Sequence, residues 1–220
     1  MTVPAWLALA VALAASPGAP AADPRSDAPE DRVVVAPARP APPDYRAALA
    51  AWRGVDDVNA WIGASFAYDA DRAMRLSETQ RASARLPIHP PDAFYATPSG
   101  VCVDLARFGV ETLRAIDPAT KPVYLMIEFA PMAVAGNVLR RHWLAGFERD
   151  GARWFFADSK RPGHLAGPYA STAAFVDAYA TYRGREVVAF RERDGYERTM
   201  RAQAPRHVRE PAGATPATTD

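Results

Sequence analysis

Between residues 44 and 200 the spacing of apolar positions changes twice, dividing the chain into helical and extended stretches. Asp44 stands where an N-cap belongs, so a short helix is expected to run to Trp52. Asp56 or Asp57 is placed to cap a second helix, whose stripe runs through Trp61, Ile62, Ser65, Phe66 and Tyr68. Residues 77–98 carry Pro87, Pro90, Pro91 and Pro98 and read as loop with at most one helical turn. Ser99 is then the expected N-cap of a longer helix over 101–116. Cys102, Leu105, Ala106, Gly109, Leu113 and Ile116 keep helical spacing there, and Asp117-Pro118 closes it. From Val123 the period becomes two. Strands are expected over 123–129, 141–148 and 152–158, then a helix over 171–182 and a last strand over 186–190. Helices followed by an antiparallel sheet predict an α+β domain rather than a βαβ repeat.

The two ends differ from this core. Residues 3–15 form an apolar run too short for a bilayer, which needs about 20 residues. Small residues follow, and Ala19-Pro20-Ala21 fits a cleavage site, so 1–21 reads as a signal peptide cut near Ala21. The expected location is therefore periplasmic or secreted, with no membrane span after cleavage. Residues 22–43 are rich in Pro and Ala and read as an extended linker, and 201–220 as a disordered polar tail. The folded domain is expected over 44–200.

Composition narrows the chemistry. Apolar residues make up 49% of the chain, but 47 of them are Ala, which leaves enough for one well-packed domain and not two. The formal charge is +1, arguing against a nucleic-acid binder. Cys102 is the only cysteine, which excludes an intrachain disulfide and a CxxC site. His89, His164 and His207 are scattered among loop-forming residues, so no metal site and no cofactor are expected.

Cys102 falls in the first turn of its predicted helix, where unpaired amide N–H groups and the positive dipole end favour a thiolate, the nucleophilic form. His142 and Asp158 lie on consecutive predicted strands, and whether they meet depends on the hairpin between them. A three-residue turn, Arg149-Asp150-Gly151, pairs His142 directly with Asp158. A two-residue turn, Asp150-Gly151, pairs His142 with Ser159 and sends Asp158 to the other face. Both faces are largely apolar, so patterning leaves the choice open, although Gly151 suits the longer turn. A carboxylate beside His142 would fix its tautomer and support an imidazolium.

The segments Pro98-Ser-Gly-Val-Cys102-Val-Asp104-Leu-Ala106, Arg141-His142-Trp143 and Trp154-Phe155-Phe156-Ala157-Asp158-Ser159 resemble the Cys, His and Asp blocks of the transglutaminase-like superfamily, in the manner of its bacterial cysteine peptidases. The stretch from Trp61 to Asp71 also resembles the helix that precedes the Cys block in bacterial members. The resemblance implies a papain-like core, with a Cys-bearing helix packed on an antiparallel sheet. It implies Cys102 as nucleophile, His142 as general base and acid, and Asp158 as orienting carboxylate. Asp104 matches the Cys block and is equally well explained as an acid near a helix N-terminus. The segment Arg161 to Tyr169 reads as a Pro-set loop at the sheet edge.

The expected function is exported, cysteine-dependent acyl transfer on peptide or side-chain amides, by hydrolysis or transamidation through a thioester. The partner would be a peptide or protein, cell-wall peptide among them. The alternative is a catalytically silent module of the same fold used for binding or assembly. An arylamine N-acetyltransferase-like enzyme has the same Cys–His–Asp order, but the folded region is too short for that family's additional domains.

Overall fold

The computed structural model describes residues 40–79, 86–134, 137–156, 161–196 and 207–208. The expected signal peptide, most of the linker, Asp158 and nearly all of the tail lie outside them.

Helices α1 (Tyr45–Ala51) and α2 (Val55–Ser65) open the domain. Asp44 caps α1, its Oδ1 accepting from the Ala47 amide at 2.8 Å. In α2 the N-cap is Gly54, and Asp56 and Asp57 lie inside the first turn, where they face the positive end of the helix dipole. The stripe expected to continue to Tyr68 stops at Phe66. Tyr68 is exposed in a two-residue strand, β1 (Ala67–Tyr68), that pairs in parallel with β2 (Ser99–Gly100).

The stretch expected to be mostly loop is more helical than its prolines suggested. Helix α3 (Ala70–Thr79) runs into it, and α4 (Pro91–Ala96) makes use of Pro91 at the start of the helix, where a missing N–H costs nothing. Helix α5 (Cys102–Ile116) spans the expected residues, but Ser99 does not cap it; Val101 is the N-cap, and Asp117 ends it.

Strands β3 (Val123–Val134), β4 (Asn137–Arg149), β5 (Ala152–Phe156), β6 (Leu165–Tyr169), β7 (Val187–Arg193) and β8 (His207–Val208) form one antiparallel sheet in the order β6-β5-β4-β3-β7-β8. Helix α6 (Thr172–Arg183) precedes β7, with Ser171 as its N-cap. Two strands arise where none was expected. β6 lies in the segment taken for a loop, and its Pro168 is tolerated on an edge strand. β8 lies in the segment taken for a tail, with His207 paired to Phe190.

The sheet is covered on both faces. On one, Ala145, Phe147 and Phe156 pack with Leu105, Phe108 and Leu113 of α5 and with Trp52, Trp61, Phe94 and Tyr95 of the early helices. On the other, Leu125, Ile127, Phe129, Leu144 and Phe155 pack under Phe175, Val176 and Tyr179 of α6. The fold is thus α+β, with the Cys-bearing helix on an antiparallel sheet, as expected. Among the described residues no helix is long and apolar enough to cross a membrane.

Candidate functional site

Cys102 is the first helical residue of α5 and is partly exposed. Three features fix its position. First, the ribbon just upstream is held by bonds from the Ala67 amide to the Pro98 carbonyl and from the Asp69 amide to the Gly100 carbonyl, each 2.9 Å. Second, Gly109 lets α5 approach the sheet. A Cβ at that position would lie 3.0 Å from Ala145 Cβ and 3.1 Å from Phe156 Cδ2.

The third feature is the carboxylate of Asp104, which is completely buried. Its Oδ2 accepts from the Val101 amide at 3.0 Å, closing the first turn of α5. Its Oδ1 accepts from the His89 amide at 2.9 Å. Arg72 of α3 donates to both oxygens, Nε to Oδ2 at 2.7 Å and Nη2 to Oδ1 at 2.8 Å. The Arg72 Nη2 also donates to the Pro87 carbonyl at 2.6 Å. Gly100 makes room for this carboxylate, since a Cβ there would lie 2.9 Å from Asp104 Cβ. Asp104 is therefore a cap and a tie between segments. Of its two readings from sequence, the structural one describes its contacts.

His142 is half-buried on β4, opposite Ile127 of β3. Its ring stacks on Tyr179 of α6, with centroids 5.7 Å apart and planes 12° from parallel. That places it on the α6 face of β4, whereas α5 packs on the face of Ala145 and Phe147. The last turn of α5 is tied to the start of β3 through Arg114 Nη2 to the Pro122 carbonyl at 3.0 Å, and β3 begins opposite Gly146. The first turn therefore points towards the His142 end of β4. Seven residues of helix from Gly109 to Cys102 span about 10 Å, and three of strand from Ala145 to His142 also span about 10 Å.

The hairpin after β4 closes with the two-residue turn Asp150-Gly151, with φ of 53° and 74°. Arg149 pairs with Ala152, Phe147 with Trp154 and Gly146 with Phe155. The three-residue turn required for direct pairing of His142 with Asp158 is absent. Two consecutive left-handed residues match the strand twist, so this turn gains what a longer loop with a glycine bulge gains, with one residue fewer. Asp158 itself lies outside the described residues.

Two positions that the sequence reading did not single out help to shape this region. Arg72 is one, and Asn59 of α2 is the other. Asn59 is buried and donates through Nδ2 to the Gly163 carbonyl at 2.7 Å. A Cβ on Gly63 would lie 2.8 Å from Gly163 Cα, so α2 and the segment leading into β6 meet backbone to backbone. His164 and Arg161 thus stand on a segment anchored to α2. A sequence signal for Arg72 existed in Asp69, which caps α3 by accepting from the Arg72 amide at 2.8 Å.

No protein-family model matches the chain, and a comparison with curated proteins gives no match. Among solved structures the chain is similar to calcium-bound LapG from Legionella pneumophila. The two share 18% identity with a TM-score of 0.33. The match covers 60% of this chain and 60% of the LapG chain.

Proposed function

We propose that the protein is a cysteine-dependent acyl-transfer enzyme acting on peptide or side-chain amides. The observation that carries this reading is a partly exposed Cys102 at the first position of α5, a helix braced by the β1–β2 ribbon, by the sheet and by Asp104. The amide groups of that first turn favour the thiolate and supply a hydrogen-bond donor to a developing oxyanion. In the proposed reaction the Cys102 sulfur attacks the amide carbonyl. His142 carries the proton to the leaving amine, and water or a second amine resolves the thioester. Asp158 is assigned the orienting role on the strength of the sequence blocks alone, since the two-residue turn does not pair it directly with His142. The signal peptide and Ala21 cleavage belong to the same proposal and direct the enzyme to peptide substrates outside the cytoplasm, cell-wall peptide included.

The test is a library of fluorogenic peptide amides, assayed with and without a primary amine acceptor, alongside iodoacetamide alkylation of Cys102 across pH. Turnover by the wild-type chain should fall at least 10³-fold in Cys102→Ala and in His142→Ala, an effect of the size seen when an activated nucleophile or its base is removed. Turnover surviving in Cys102→Ala would end the proposal. The stacking of His142 on Tyr179 favours the second reading, a silent binding module in which the imidazole is a core ring. On that reading, no amide is turned over and the thiol titrates near its ordinary value of about 8.5.

A further inference from the structure

The tie between Arg72 and Asp104 is more than a brace. We propose that Arg72 is a positioning residue for Cys102: its forked hold on Asp104 fixes the first turn of α5 and cancels a carboxylate buried in the thiol's own helical turn. The inference rests on Cys102 being the nucleophile. Asp104 accepts four hydrogen bonds, from Arg72 Nε, Arg72 Nη2, the His89 amide and the Val101 amide. Of these donors only the guanidinium carries charge. Without it, a buried carboxylate two residues from the sulfur would oppose the thiolate and offset what the helix terminus contributes. The planar fork engages both oxygens at once, which an ammonium does not. With Nη2 also on the Pro87 carbonyl, one side chain joins α3, the 87–89 segment and the start of α5.

Charged or titratable groups on the segments that meet here include Asp69 ahead of α3, Asp71 and Arg75 within it, Arg107, Glu111 and Arg114 of α5, His89, and Arg141 and His142 of β4. Asp69 is engaged with the Arg72 amide, and Arg107 with Glu111 at 2.9 Å and with the Ile88 carbonyl. None of them replaces Arg72 at Asp104.

The experiment measures the rate of Cys102 alkylation by iodoacetamide across pH in the full chain, with circular dichroism as the check on folding. Arg72→Met should raise the inflection by a pH unit or more and slow alkylation at neutral pH about tenfold. Arg72→Met combined with Asp104→Asn removes both charges and should return the inflection to the wild-type position. Arg72→Lys keeps the charge and should leave the inflection close to the wild-type position. A folded Arg72→Met with the wild-type profile overturns the inference. So does a double variant that keeps the single variant's profile, because the effect would then be one of packing. Should Arg72→Met fail to fold, Asp104→Asn decides: with Arg72 left uncompensated the inflection should fall, and an unchanged value overturns the inference. An ordinary titration in the wild-type chain would instead overturn the enzymatic reading, and this one with it.

Discussion

At the scale of single residues, polar groups at the helix–sheet boundary are held by partners on distant segments, and their titration is coupled to folding. Tyr124 on β3 is almost fully buried, and its hydroxyl donates to Glu111 Oε1 at 3.1 Å. Burial, and then the Glu111 carboxylate, hold the phenol well above its ordinary range. The folded chain therefore keeps a proton that the unfolded chain releases near pH 10. The stabilisation is complete below that pH and is lost as pH rises above it. Tyr124→Phe should flatten the alkaline limb of a stability–pH curve measured by urea denaturation between pH 8 and 11. Tyr45 and Tyr95 are shifted upwards by burial as well, so part of the slope should survive.

At the scale of elements, what could be read from the sequence follows from how locally each element is determined. Helix α5 was legible because its apolar spacing and its Asp117-Pro118 stop are local. α6 was legible for the same reason, and Ser171 caps it by accepting from the Ala174 amide at 3.1 Å. The cap of α5 was not, because the group that closes its first turn is a side chain three residues inside the helix, aligned by an arginine 32 residues away. β6 and β8 were missed because an edge strand is defined by the partner it joins, and neither has an alternating pattern of its own. The β4–β5 turn was undecidable from pattern, since Leu144 and Phe155 on one face and Ala145, Phe147 and Phe156 on the other are all apolar. The structure selects the two-residue form through its left-handed pair. Gly151 has open space around its missing Cβ, so the cost of Gly151→Ala is conformational alone. About 1 kcal/mol is expected for placing a side chain at positive φ, read as a lower urea midpoint with an unchanged slope.

At the scale of the molecule, the sheet separates two apolar layers, one packed under α5 and the early helices and the other under α6. All the tryptophans among the described residues, Trp52, Trp61, Trp143 and Trp154, pack in or against the α5 layer, so their fluorescence reports that side. Phe155 lies on the far side, stacked on Phe175 with centroids 4.0 Å apart. Phe155→Ala should cost about 3–5 kcal/mol, the usual range for a buried phenylalanine. If the layers unfold as one unit, the tryptophan transition should shift to lower urea together with the far-ultraviolet dichroism. A tryptophan transition left in place would show the layers to be independent.

The parallel ribbon of Ala67–Tyr68 with Ser99–Gly100 acts as the neck of a long noose, drawn closed between the end of α2 and the thiol-bearing turn. The entropy of closing such a noose grows only with the logarithm of its length, about 0.6 kcal/mol for each doubling. Residues added within the noose, away from the 87–89 segment held by Arg72, Asp104 and Arg107, are therefore tolerated cheaply. One residue added between Pro98 and Cys102 displaces the sulfur from the neck. Variation in length over evolution, or by design, belongs inside the noose and not at its knot.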